Sequence, residues 1–300
     1  MSLLVTGSIG VDTIETPFGK RENVIGGSAI YFSYAASFFT PVRLVGVIGP
    51  DYPHDLKTVF KTRDVDLAGL EVRAGSKSFR WHGSYVHNMN EAQTLSVDLN
   101  VLAEQAPKIP DSFLDSKHIF LANTHPKLQQ DFLSKLANRK LVVADTMNYW
   151  IESAKPDLLD LLKKIDGLVL NDGEAKLLTG EKNMVSAAKA VLKLGPKFVV
   201  IKKGEHGSLA AVGDQVVVLP AYPAEVVIDP TGAGDSFAAG VMGYLATQNS
   251  FSPSTLRRAM AYGTVVASFT IGGFSLEGIS RATREEIDER WDELKRTISF

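Results

Sequence analysis

The chain has 300 residues, 45% hydrophobic and 22% charged, with a formal net charge of −2. This is ordinary globular composition, and the length suffices to bury a core without covalent staples. The near-neutral charge excludes a broad basic field for nucleic acid or an anionic membrane, while the lack of cysteine excludes disulfides and thiolate metal sites and fits a cytoplasmic protein.

Met1 to Gly10 reads as a first strand rather than a signal peptide, with Leu3 to Thr6 as its buried apolar run. Asp12 to Val24 is mixed and contains Gly and Pro. Ser28 to Phe39, rich in Ala and aromatics, predicts a buried helix after Gly26-Gly27, and Val42 to Ile48 predicts the next strand. Lys77 to Val101 alternates with period two (Phe79, Trp81, Gly83, Tyr85, then Leu95, Val97, Leu99) around the polar turn His87–Glu91. That pattern predicts an antiparallel hairpin, either a small lid or an edge of a larger sheet. Short apolar runs at His118–Ala122, Leu141–Ala144, Gly167–Leu170 and Phe198–Ile201 alternate with helical patterns at Lys127–Asn138, Asp157–Lys164, Glu174–Thr179 and Val185–Leu194. Such alternation predicts an α/β fold, a mainly parallel sheet covered by helices. Strand-like Glu225–Ile228 leads to the helix Ala233–Thr247. Ser254–Thr270, with Ser254 as N-cap, and Arg284–Thr297, with Thr283 and Glu286 at capping-box spacing, complete the chain. No apolar run is long enough to span a membrane.

Asp229-Pro230-Thr231-Gly232-Ala233-Gly234-Asp235-Ser236-Phe237 is the most informative segment. Gly232, Ala233 and Gly234 lack bulky side chains, so an anion can approach the main chain at the helix start. Unpaired N–H groups and the helix dipole attract phosphate there, and phosphoryl transfer needs such preorganised donors. Asp235, in the first turn, is placed to take the proton of an attacking hydroxyl. The same residues also suit a plain tight turn with a helix-start acid. The chain lacks the Gly-x-x-x-x-Gly-Lys-Ser/Thr loop, a Gly-x-Gly-x-x-Gly after the first strand, and His-Glu-x-x-His. Those absences disfavour a P-loop ATPase, a dinucleotide enzyme and a zinc enzyme.

The nine-residue string, with Gly240, resembles the C-terminal signature of the ribokinase-like, or PfkB, carbohydrate kinases. Gly7-Ser8-Ile9-Gly10-Val11-Asp12, Gly26-Gly27-Ser28-Ala29, Asn171-Asp172-Gly173-Glu174 and Lys203-Gly204-Glu205-His206-Gly207 are similar to four further motifs of that family, in family order. The resemblance implies a single domain over 1–300 with a three-layer α/β/α fold, a mainly parallel central sheet and a small β lid built from about 12–24 and 77–101. It implies transfer of the ATP γ-phosphate to a hydroxyl of a sugar or nucleoside. Asp235 is then the base, the amides of Gly232, Ala233 and Gly234 are the anion hole, and Asp12, Gly26 and Gly27 hold the acceptor. Asn171 and Glu174 organise magnesium (Mg2+), with Glu174 reaching it through water, and Lys203, Gly204 and Gly207 lie along the nucleotide. The resemblance allows potassium (K+) beside Asp229 and Thr231, and a homodimer through the lid face of Phe79, Trp81 and Tyr85.

Each motif has a plainer reading beside this one. Asp12 suits a turn, Gly26-Gly27 a helix entry, Glu174 a helix start, and Gly204 with Gly207 a hairpin turn. Lys202 and Lys203 are either solvated charges or offsets to phosphate charge. Tyr31 stands where ribokinases carry Asn, so ribose is not the first choice of acceptor. Asp145-Thr146-Met147-Asn148-Tyr149-Trp150 lacks the Arg of the family's sugar-acid kinases, so a carboxylated acceptor is not supported. Tyr31, Trp81, Tyr85 and Trp150 either stack on a ligand or pack the core and lid. A non-catalytic ligand-binding member of the fold is the alternative from another class.

Overall fold

A computed structural model describes residues 2–248 and 250–299; Met1, Asn249 and Phe300 lie outside the described residues. Among them thirteen strands form two sheets. In chain order these are β1 (Leu3–Thr6), β2 (Gly10–Thr16), β3 (Gly19–Gly26), β4 (Val42–Ile48), β5 (Val65–Val72), β6 (Phe79–Ser84), β7 (Gln93–Asp98), β8 (His118–Leu121), β9 (Leu141–Asp145), β10 (Gly167–Asn171), β11 (Phe198–Lys202), β12 (Ser208–Val212) and β13 (Gln215–Leu219). The large sheet has the order β13-β12-β11-β10-β9-β8-β1-β4-β5. It is parallel from β11 to β5, and β12 and β13 extend one edge antiparallel.

Successive residues of a strand face opposite sides, and the core divides accordingly. Leu3, Val5, Val143, Val169 and Val200 pack on the face of the helices Ser28–Ala36, Ala233–Ala246 and Pro253–Thr270. Leu4, Val142, Leu168 and Val199 face the helices Pro126–Ser134, Lys155–Leu162, Asp172–Thr179 and Met184–Lys193. Three layers result, with runs of Val, Ile and Leu in the strands because both faces of a parallel sheet are covered. Among the described residues no helix is long and apolar enough to cross a membrane.

The stretches 12–24 and 77–101 fall in a separate sheet of order β3-β2-β6-β7. β2 pairs antiparallel with β3 and parallel with β6, which pairs antiparallel with β7. Its two faces differ. Glu15, Lys20, Glu22 and His82 form one charged surface. Ile14, Trp81 and Tyr85 gather on the other with Phe274.

Two expectations fail. Glu225–Ile228 is not a strand: Ile228 donates one bond to Ile271 O at 2.8 Å, and the segment joins neither sheet. The N-cap of Pro253–Thr270 is Ser252, not Ser254, because Pro253 takes the first helical position and Ser252 Oγ accepts from Thr255 N at 3.3 Å. The capping box of Thr283 and Glu286 is present, at 2.8 and 3.1 Å.

Candidate active site

The helix Ala233–Ala246 begins at Gly232, whose φ of 74° is left-handed. A side chain there would also overlap the ring of Tyr31, which is 1% exposed and packs beneath the turn. Tyr31 is therefore a floor for the turn. No side chain caps this helix. Ala233 N donates to Pro230 O at 3.1 Å, and Ser236 N makes the first helical bond, to Gly232 O at 2.8 Å. The amides of Gly234 and Asp235 fall in the first turn, where a helix offers no acceptor of its own.

Asp229 fixes this turn from below. It is fully buried; Oδ1 accepts from Thr231 N at 2.8 Å and Oδ2 from Ser275 N at 2.9 Å. The carboxylate thus ties the glycine turn to the loop after Pro253–Thr270. Thr231 Oγ1 is buried beside the carboxyl of Asp229 and the hydroxyl of Tyr85.

The parallel strands β9, β10 and β11 end in Asp145, Asn171 and Lys202; Asn171 pairs with Lys202, while Asp145 is level with Val169. Strand parity sets these residues on the face of Val143, Val169 and Val200, toward the helix Ala233–Ala246. Lys202 Nζ lies 3.1 Å from Asp145 Oδ2, with side-chain exposures of 17% and 5%. It stands 3.1 Å from where a Cβ on Gly234 would lie, so it overlooks the open helix mouth. Burial penalises the Lys202 ammonium, yet Asp145, Glu174 and Asp235 together hold its pKa above the usual lysine value. Lys203, one residue on, lies outside β11 and leads into the turn Gly204–His206.

Asn171 Oδ1 accepts from Glu174 N, and Glu174 Oε2 from Asn171 N, both at 2.7 Å. This capping box locks Glu174 at the helix start beside Lys202. Burial pushes the Glu174 carboxyl up to about 7; Lys202 opposes and Asp145 adds to the shift. Asp235 is also raised to about 7, by burial first and by the Asp145 charge second, against Lys202. A carboxyl with that value can both take and release a proton near neutrality.

Asp12, on β2, is 4% exposed and lies against Gly26, where a methyl group would overlap its carboxylate. Ser28 N donates to Ser8 Oγ at 2.9 Å and Ala29 N to Ser8 O at 3.0 Å, which fixes the Gly26–Gly27 turn on the end of β1. Asp12 Oδ1 is buried with no partner. Burial raises this carboxyl to about 8, and the charges of Asp229 and Asp235 add to the shift. Asp229 and Asp235 are thus near enough for their charges to act on Asp12. An orphaned acceptor is costly, and ligand hydroxyls would satisfy it. Trp81 pairs with Asp12 across β2 and β6, so it shares that face, and its ring lies 6.5 Å from Tyr85 in edge contact.

Of the residues expected from sequence, Asp12, Gly26, Glu174, Gly232, Gly234 and Asp235 converge. Gly204 lies in an exposed turn, Gly204–His206, one residue after β11, while Gly207, which ends that turn, is buried against Leu219 and Pro220. Trp150 instead packs on His125 at 5.0 Å and donates from Nε1 to Asn123 Oδ1 at 2.9 Å. Sequence reasoning placed Lys203 rather than Lys202 along the nucleotide and gave Asp145 no role. The place of Lys202 in β11, on the side of Val200, was the available signal.

Among the described residues no group of three or more acidic or histidine side chains is set to cage a metal. Glu174 has one oxygen committed to its cap and one left over. The donor set therefore fits a magnesium ion carried on phosphate oxygens and water, with Glu174 outside its first layer.

A profile of the pfkB family of carbohydrate kinases matches residues 14–278. The cytidine kinase of Thermococcus kodakarensis is 30% identical over 248 residues, which is 81% of this chain and 87% of that protein. The nucleoside kinase of Burkholderia thailandensis, solved with inosine, superposes with a TM-score of 0.77 at 20% identity, covering 97% of this chain and 98% of that one. Ribokinase from Cryptococcus neoformans, solved with ADP, gives 0.78 at 20% identity over 96% and 99%. A match over most of the sequence, on a fold shared with ribokinase, leaves one assignment: the chain belongs to the pfkB family of carbohydrate kinases, phosphotransferases whose acceptor is a hydroxyl.

Proposed function

We propose that the chain transfers the γ-phosphoryl group of ATP to a primary hydroxyl of a nucleoside, with Asp235 as the base. The observation that carries this is the uncapped helix mouth at Gly232–Asp235, which sets a carboxyl raised to about 7 beside unpaired amides. Asp12 accepts from the ribose hydroxyls and orients the acceptor. Asp235 removes the proton of the attacking oxygen. The amides of Gly234 and Asp235, with Lys202, neutralise charge that builds on the transferring group. Magnesium, when bound with the nucleotide, draws charge from the phosphate oxygens; Asn171 and Glu174 orient its water. Lys203, Gly204 and Gly207 border the nucleotide, and Asp229 and Thr231 would hold a potassium ion beneath the turn.

The small sheet acts as a lid that excludes water from the acceptor. Nucleoside is preferred over free sugar because the partly buried Trp81, on the face of Asp12, offers an aromatic surface, and because a relative matched over 87% of its length is a cytidine kinase. A free sugar is the second reading, supported by the family itself. The expected homodimer belongs to the proposal in altered form. Tyr85 is 8% exposed and covered internally, whereas Leu95 and Val97 on β7 are 46% and 50% exposed and offer the contact.

ADP release measured over a panel of nucleosides and sugars tests the reading. Turnover with nucleosides supports it, and turnover with sugars alone moves the assignment to the second reading. Asp235→Asn lowers turnover by about 10²-fold or more while ATP still binds. Near-normal turnover in this variant removes Asp235 as the base.

A further inference from the structure

The tip of the β6–β7 hairpin touches both halves of the site. Tyr85, Met89 and Ala92 pack with Phe274 and Ile228. Phe274 and Ile228 directly precede Ser275 and Asp229, the two residues joined beneath the glycine turn. Beyond this apolar contact, Asn90 reaches the turn that follows β11. Its Nδ2 donates to Glu205 Oε1 at 2.8 Å, and Glu205 N donates to Asn90 Oδ1 at 3.3 Å. One side-chain amide thus both gives to and takes from a single residue 115 positions away. Asn90 is itself oriented, because its own N–H donates to Asn88 Oδ1 at 2.9 Å. The far side is ordered too: Lys203 N donates to Gly207 O at 2.8 Å and His206 N to Lys203 O at 3.0 Å. The Asn90 amide sits so close to Gly204 that a methyl there would overlap it.

We propose that Asn90 is a positioning residue that latches the lid to the Gly204–His206 turn, so that nucleotide at the turn and closure over the acceptor favour each other. The proposal rests on the nucleotide reading of that turn. Apolar packing at Tyr85 would suffice to close a lid. The reciprocal amide contact adds dependence on the geometry of the turn, which a bound nucleotide restricts. Two sites that bias one closed arrangement must be linked reciprocally. Asn90 touches neither reactant; it acts through Glu205.

Amide hydrogen exchange in the segment 79–98, with and without magnesium ADP, reads the latch directly, and calorimetry of magnesium ADP binding runs beside it. In the wild-type protein the nucleotide slows exchange in this hairpin by about fivefold or more, the lower end of ordinary coupling. Asn90→Asp removes the donor and sets two carboxylates together, and the slowing disappears. Adding Glu205→Gln to Asn90→Asp restores it, because the new amide donates to the new carboxylate; a general loss of folding would not be rescued this way. If Asn90→Asp shows the wild-type slowing, or the double variant stays uncoupled, the latch is wrong. If magnesium ADP binds the wild type and leaves hairpin exchange unchanged, the latch alone is wrong. If it gives no binding at all, the nucleotide reading falls and takes the latch with it.

Discussion

Lys202 and Lys203 are chemically equal neighbours set apart by the end of β11. Lys202 shares its face with Val200 and looks toward the helix mouth, 3.1 Å from Asp145. Removing it alone would leave Asp145 as an uncompensated buried charge, which destabilises by about 3–5 kcal/mol. The informative variant is therefore Lys202→Met with Asp145→Asn. Its melting temperature stays near wild type, while turnover falls by about 10²-fold, the usual effect of losing one donor to a developing anion. Recovery of turnover along with stability would show the pair to be structural only. Asp235 belongs to the same scale. Its carboxyl is raised to about 7, and a base must be deprotonated to act. The acceptor kcat/KM should thus rise about tenfold per pH unit below that value and level off above it. A profile flat between pH 5 and 8 would contradict the assignment.

At the scale of elements, legibility followed the number of buried faces. Strands β1, β4, β8, β9, β10 and β11 are mainly apolar because helices cover both sides, and their reading transferred to the structure. Glu225–Ile228 carries the same residue types but finds no strand partner, so composition misled where tertiary pairing decided. The glycine turn and Asp12 were legible because small residues beside an acid leave a local trace. The pairing of Lys202 with Asp145 was not, because it joins strand ends 57 residues apart. The Gly232 turn yields a prediction of its own. Gly232→Ala forces a side chain into left-handed backbone, which costs about 1–2 kcal/mol, and into the Tyr31 ring. Thermal stability should fall by a few degrees, and turnover should fall by more than the unfolded fraction explains. Turnover that tracks folding alone would show that the turn need not hold its amides in place.

At the scale of the whole molecule, the site is a store of unfavourable charge. Asp12 is raised to about 8 and Glu174 to about 7, both mainly by burial. Unfolded, each loses its proton near the ordinary carboxylate value. Between roughly pH 5 and 8 the folded chain therefore binds more protons than the unfolded one, and stability falls as pH rises. The ligand-free melting temperature should decline over that window, and Asp12→Asn should flatten the decline. A rising curve would mean that these carboxyls are not desolvated.

The parallel pairing of β2 with β6 also has a consequence for how the chain becomes this object. Gly10 meets Phe79 and Glu15 meets Ser84, so the small sheet is woven from two strips with β4 and β5 of the large sheet between them. Closing so long a loop early gains little, and non-local pairings form late. The small sheet therefore cannot be assembled from one contiguous stretch: β2 and β3 are made before the large-sheet strands that separate them from β6 and β7, so a newly made chain carries only half of this sheet until Asp98 has been added.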